Sequence, residues 1–226
     1  MKSHQKRTAI THYILKKIVK PFFKLFWIKK ITGSENIPKK GTYIFAFNHQ
    51  SFFDFLLFTA ISPRNIHFLA AEKFFNHKLW RPLMILTGQI KVDRNAQDKS
   101  EVHEQERIHL EKGRLLGIFP EGTRSPSPDE MLPAFTGVAK YALKHKVHVI
   151  PVGLRGMHEI LPKDGGKMSF KRCAEIHIGE PIDLTGHWEC HEDTQTCEFV
   201  TEKIMKKIEK LSGKKYNHYK HNHDEE

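Results

Sequence analysis

A histidine and an aspartate five residues apart, His49 and Asp54, stand where the chain leaves a short apolar run and enters Asn48-His49-Gln50-Ser51-Phe52-Phe53-Asp54. On a continuous helix two residues at this spacing diverge by about 140°. They meet only if His49 occupies a turn and Asp54 the first turn of the helix that follows. An aspartate that takes the Nδ1 proton leaves Nε2 free as a general base. That is the His–Asp half of a triad, without a protein nucleophile. The same residues also suit a plainer arrangement in which Asp54 complements a helix N-terminus and His49 fills a turn.

A second polar string, Pro120-Glu121-Gly122-Thr123-Arg124-Ser125, follows the apolar run of residues 115–119. Gly122 permits close backbone approach, Arg124 offers a fork of donors suited to phosphate, and Thr123 and Ser125 add hydroxyls. Glu121 would repel phosphate, which leaves it to orient Arg124 or a substrate hydroxyl; a tight surface turn closed by an ion pair is the alternative. Residues 88–94 form a short extended run ending in Arg94, either a further phosphate contact or a surface arginine paired with Asp93. In Ile150-Pro151-Val152-Gly153-Leu154, Pro151 removes one ladder hydrogen bond and Gly153 allows a bend, which suits a wall for an acyl chain or a structural turn.

The elements that must position these residues alternate in type. Apolar runs at 43–47, 66–70, 90–92, 115–119, 147–152 and 174–178 read as strands. Helical patterns lie at 52–61, 79–86, 97–112 and 135–144, and Cys197, Val200, Ile204, Ile208 and Leu211 mark one face of a C-terminal helix. The alternation predicts an α/β fold with a mostly parallel central sheet flanked by helices. Polar clusters at the carboxyl ends of its strands are then candidate site residues. Before this core, Ile10, Ile14, Ile18, Phe22 and Phe26 recur every four residues and Lys16, Lys20 and Lys24 recur on the opposite side. Residues 10–30 therefore read as a basic, aromatic-rich amphipathic helix, kinked or divided at Pro21. Such a segment suits the interface of an anionic bilayer, and equally a helix packed on the domain with a solvated lysine face.

The chain has 226 residues and a net charge of +11, so an anionic partner is expected: lipid headgroups, a phosphorylated substrate or nucleic acid. Three cysteines without a CxxC pair argue against a disulfide framework. No run of 18 apolar residues predicts a transmembrane helix, and no secretory leader is expected. His187, Cys190, His191 and Cys197 do not have the usual zinc-ligand spacing, so no metal is expected.

Together and in this order, the four segments resemble the glycerolipid acyltransferase family to which bacterial lysophosphatidic acid acyltransferases belong. Asn48, His49 and Asp54 match its Asn-His-x4-Asp block, and Gly88, Ile90 and Arg94 match Gly-x-Ile-x3-Arg. Residues 119–125 match Phe-Pro-Glu-Gly-Thr-Arg-Ser in full, and residues 150–153 match the Pro-containing apolar block. The likeness spans roughly residues 30–185. It implies His49 as general base, Asp54 as its orienter, and Asn48, Arg94, Glu121, Gly122, Thr123 and Arg124 as substrate-binding residues. It implies acyl transfer to the sn-2 hydroxyl of lysophosphatidic acid, giving phosphatidic acid in phospholipid biosynthesis. No cofactor is implied beyond acyl-CoA or acyl-carrier protein as co-substrate, and no nucleic acid. The alternatives are another lysolipid or an amino-acid lipid as acceptor, or a non-enzymatic protein that binds anionic membrane or nucleic acid. The organisation implied is an amphipathic membrane-interface segment over residues 1–32, an acyltransferase domain over 33–212 and a disordered tail over 213–226. Its place would be peripheral, on the cytoplasmic face of the inner membrane. One departure stands out: many members carry a Lys where this chain reads Pro133-Ala134-Phe135-Thr136-Gly137, so one cationic contact is missing or supplied elsewhere.

Overall fold

The computed structural model describes residues 17, 19–78, 80–93 and 100–220. In chain order the elements begin with α1 (Lys20–Phe26), β1 (Ile28–Thr32), β2 (Tyr43–Phe47), α2 (Phe53–Ile61) and β3 (Ile66–Ala71). Next come α3 (Lys73–Asn76), α4 (Trp80–Thr87), β4 (Ile90–Val92), α5 (Ser100–Glu111) and β5 (Leu115–Ile118). The last five are α6 (Gly137–Lys144), β6 (Val149–Arg155), α7 (Met157–Ile160), β7 (Ala174–Ile178) and α8 (Thr194–Ser212).

The strands form one seven-stranded sheet in the order β1-β7-β6-β2-β5-β3-β4. Among the described strands the single antiparallel pairing, β6 with β7, leaves β1 and β7 running against the other five strands. This is the mostly parallel α/β sheet that the alternation of patterns predicts. The period-2 rule shows in β2: Phe45 and Phe47 enter one core, Ile44 and Ala46 the other, and all four are fully buried. The Phe45 side joins α1, α2 and α7 through Phe23, Trp27, Leu57, Phe58 and Met157. The Ile44 side joins α6 and α8 through Val138, Ala142, Val200, Ile204 and Ile208. Each large apolar side chain so buried contributes about 1.5–3 kcal/mol. Gly153 does not bend β6, which runs on to Arg155; a Cβ there would lie 2.4 Å from the backbone of Leu211 and Ser212, so its role is to let α8 press against the sheet.

Two boundaries differ from the sequence reading. Ile28–Thr32 is a strand paired with β7, so the expected membrane segment stops earlier and residues 28–32 belong to the sheet. Pro21 lies in the first turn of α1, where a missing N–H costs nothing, so the α-helix begins there, as the expected division at Pro21 implies. Residues 10–16 and 18 of the expected amphipathic helix lie outside the described residues. The tail expected to be disordered from residue 213 is instead ordered to Lys220. Lys215 exchanges backbone hydrogen bonds with Asp129 and Met131, Tyr216 is buried, and its hydroxyl accepts from the Ala134 N–H. Gly213 ends α8 in the left-handed conformation and turns the chain back toward residues 127–134.

Candidate active site

β2 and β5 are parallel neighbours, with Ala46 opposite Ile118. Residues 48–54 and 119–125 therefore leave the same edge of the sheet side by side. Backbone and carboxylate bonds clamp them together: Ser125 N donates to His49 O at 2.8 Å, and His49 N donates to Glu121 Oε1 at 2.7 Å.

His49 precedes α2 and Asp54 lies in its first turn, the one arrangement in which the pair can meet. His49 Nδ1 is 2.7 Å from Asp54 Oδ2, which also accepts from the backbone N–H groups of Gln50 (2.7 Å) and Ser51 (3.0 Å). Asp54 is fully buried. An oxygen that already accepts from two N–H groups takes a third proton from Nδ1, so the hydrogen-bond network assigns the proton to Nδ1 and a lone pair to Nε2. The imidazole is 16% exposed and lies flat on Phe119, with ring centroids 4.0 Å apart and planes 21° apart. Phe119 thus fixes the ring plane from below while Asp54 fixes its rotation.

His49 forms part of the wall of a cavity of about 410 Å³. The rest of the lining is largely apolar: Phe52, Phe55, Phe68, Phe74, Trp80 and Met84 among others. The size falls within the range of small-molecule sites, and the lining suits a hydrocarbon chain. The aliphatic wall proposed at residues 150–154 is not part of it. Ile150, Val152 and Leu154 are fully buried in the sheet core, and the cavity is built from β3, α3, α4 and the start of α6. The sequence signal was an aromatic density at Phe52, Phe55, Phe74 and Trp80 beyond what the sheet needs, meaningful only once those segments are known to face one another.

The remaining residues divide into those that face outward and those that hold the frame. Arg124 lies over Phe52, with its guanidinium carbon 3.9 Å from the ring centroid. Its Nη1 is buried with no hydrogen-bond partner among the described residues. Burial lowers its pKa, an effect opposed by the nearby charges of Asp54 and Asp164. A buried guanidinium N–H without a partner, near the His49–Asp54 pair, is costly unless something supplies it an acceptor. Thr123 is exposed on the outside of the loop. Gly122 adopts φ +66, and a Cβ there would lie 2.8 Å from the ring of Phe135, so Phe135 covers this glycine. Arg94 lies outside the described residues.

Two expected substrate contacts prove internal. Asn48 is fully buried, and its amide donates to Leu154 O (2.9 Å) and accepts from Leu154 N (2.7 Å). Leu154 lies two residues beyond Val152, the last partner of β2, so the Asn48 side chain supplies one more rung of the ladder. Glu121 orients neither Arg124 nor a hydroxyl. It is 2% exposed, and its second oxygen accepts from Leu132 N at 2.8 Å. Burial pushes its pKa up to about 7, against the pull of those two N–H groups and of Lys214. Lys214 escaped the sequence reading. Its buried ammonium donates to Ser127 O at 3.3 Å behind the loop, and burial pushes its pKa down to about 8 despite Glu121, Asp54 and Asp129.

A family model described as Acyltransferase matches residues 29–155, which include all four motif blocks. The chain belongs to the acyltransferase family. This acyltransferase is 30% identical over 184 residues to a 1-acyl-sn-glycerol-3-phosphate acyltransferase of Borreliella burgdorferi, covering 80% of this chain and 72% of that one. It is 27% identical over 154 residues to the Bacillus subtilis protein of the same description, covering 68% and 73%. Among solved structures, the 1-acyl-sn-glycerophosphate acyltransferase PlsC of Thermotoga maritima matches with a TM-score of 0.69 at 26% identity, covering 95% of this chain and 85% of that one. No described helix of the acyltransferase is long and apolar enough to cross a membrane.

Proposed function

We propose that the chain transfers a fatty acyl group from a thioester, acyl-CoA or acyl-carrier protein, to the sn-2 hydroxyl of 1-acyl-glycerol-3-phosphate, as a peripheral protein on the cytoplasmic face of a membrane. The observation that carries this reading is the His49–Asp54 pair opening onto an apolar cavity, with Arg124 nearby and its buried Nη1 without a hydrogen-bond partner among the described residues. The names of the relatives from Borreliella burgdorferi and Bacillus subtilis point to the same acceptor.

In this mechanism Arg124 holds the acceptor phosphate and the cavity holds an acyl chain. His49 Nε2 takes the proton of the acceptor hydroxyl as its oxygen attacks the thioester carbonyl. Asp54 stabilises the imidazolium that forms. The tetrahedral intermediate collapses, the C–S bond breaks, and His49 returns the proton to the departing thiolate. No acyl-enzyme is required, because the thioester is already activated. Ser51 accordingly stays structural, its hydroxyl donating to Leu161 O at 2.8 Å.

The deciding assay measures acyl transfer from both donors to a panel of lyso-acceptors with and without a phosphomonoester, for the wild type and Arg124→Ala. The expected outcome is preference for lysophosphatidic acid. The substitution should cost about 10–100-fold on phosphate-bearing acceptors and little on phosphate-free ones. Equal losses on both classes would remove Arg124 from phosphate binding. Preference for a different lysolipid would move the acceptor assignment, to which the absence of the family's Lys from residues 133–137 already draws attention.

A further inference from the structure

We propose that the loop of residues 163–172, between α7 and β7, is a second lipid-docking element that joins α1 in one surface facing an anionic bilayer. The loop reads Lys163-Asp164-Gly165-Gly166-Lys167-Met168-Ser169-Phe170-Lys171-Arg172. Met168 is 42% and Phe170 57% exposed, beside Phe22 at 44% and Leu25 at 64% on α1. The two elements are physically one. Trp27 Nε1 donates to Ser169 O at 2.6 Å, and Phe170 stacks on Trp27 at 5.3 Å and 24° while meeting Phe26 edge-on at 5.8 Å. Trp27 itself is buried, so the ring that supports Phe170 is anchored in the core and leaves Phe170 no room to retreat.

The chemistry of this surface favours a bilayer. The loop sets its apolar side chains among cations, with Lys163, Lys167 and Lys171 flanking Met168 and Phe170. Lys171 is paired with Glu159. Arg172 donates to Ile28 O, so it fixes the loop to β1. Aromatic rings interleaved with lysines match the headgroup region, where rings sit at the boundary and ammonium groups meet anionic lipid. The position is apt as well. Asp164, at the start of the loop, is close enough to Arg124 to influence its charge, so the loop begins at the mouth of the active site and ends on α1. Docking this surface would bring the mouth to the layer that holds a lipid acceptor. That last consequence rests on the proposed acyl transfer, whereas the docking itself does not.

The test is partitioning of the full chain onto sucrose-loaded vesicles, either phosphatidylcholine with about one-third phosphatidylglycerol or phosphatidylcholine alone. Two variants are compared with the wild type, Lys163→Gln with Lys167→Gln, and Met168→Ser with Phe170→Ser. Transfer to a short-chain acceptor below its micelle concentration runs in parallel. Both variants should partition about 10–30-fold more weakly onto the anionic vesicles. The lysine pair should lose this difference in high salt and the apolar pair should keep it. Both should retain wild-type transfer in solution, which shows that they are folded. Wild-type partitioning by both variants overturns the proposal. So does a selective loss of transfer from acyl-carrier protein with unchanged vesicle binding, which would make the loop a docking site for that acidic donor. If the wild type transfers no acyl group in solution, the function reading fails, while the vesicle data still decide the loop.

Discussion

His49 is held on three sides, by Asp54 at Nδ1, by Phe119 under the ring, and by Glu121 and Ser125 at its own backbone N–H and carbonyl. Only the first two involve the imidazole. His49→Ala should therefore lower kcat by about 10²–10⁴-fold with the clamp between the two loops intact. Thermal melting close to wild type together with near-normal turnover would exclude the imidazole from the chemistry. The pair was legible in the sequence because both members lie within five residues and the turn-to-helix transition between them is local. Asn48 and Glu121 were not, although they sit in the same motifs. Their partners, Leu154 and Leu132, are fixed by the register of β6 on β2 and by the path of the chain after Ser125, and neither has a local signature. Motif residues drawn inward to hold a loop carry the same letters as residues turned outward to hold a ligand.

Among the elements, α5 and α6 meet through an ionisable group that the chemistry does not use. Glu106 on α5 is fully buried, and burial pushes its pKa up to about 8, opposed by Tyr141 and Lys144 on α6. Its carboxyl holds a proton in the folded chain that it has lost in the unfolded chain above about pH 4.5. The stability this proton contributes is complete below that pH. It declines as pH rises and is gone once the folded carboxyl ionises near 8. Glu106→Gln removes the dependence. The variant's melting temperature should therefore rise relative to wild type between pH 5 and pH 8.5, as read by scanning calorimetry. A constant difference across that range would mean that Glu106 ionises normally. The helical period of α5 and α6 was readable from the sequence. That Glu106 points inward was not, because its neighbours Glu104 and Glu111 pair with Arg107 at the surface and the three acids look alike on paper.

Across the whole molecule, the C-terminal strap of residues 213–220 reaches back to the segment that carries the Leu132 N–H on which Glu121 depends. Removing residues 214–226 deletes the Lys215 backbone bonds, the buried Tyr216 and the Lys214 ammonium together. Burying one such aromatic is worth about 3 kcal/mol, which corresponds to a melting shift of roughly 6–12 °C in a chain of this size. The truncated chain should lose both that stability and transfer activity, because the loop of residues 119–125 loses its backing. A truncated chain that melts and turns over like wild type would reduce the strap to decoration. From the sequence the segment looked like a charged terminus. What orders it is Tyr216 fitting under residues 129–134, a contact across more than eighty positions.

The pairing of β1 with β7 has a consequence in time. Lys29 and Glu175, one on each strand, are 146 residues apart. At about 5–20 residues per second of synthesis, the segment holding Phe23 and Trp27 leaves the ribosome roughly 7–30 s before the strand that β1 will join. Through that interval the segment has no sheet to shelter it, and the first apolar surface it meets can be the bilayer itself. Ribosome-tethered chains halted before residue 174 should therefore cling to anionic vesicles more tightly than released full-length protein. The enzyme would then be moored before it is finished, and the late strand would lock a berth already taken.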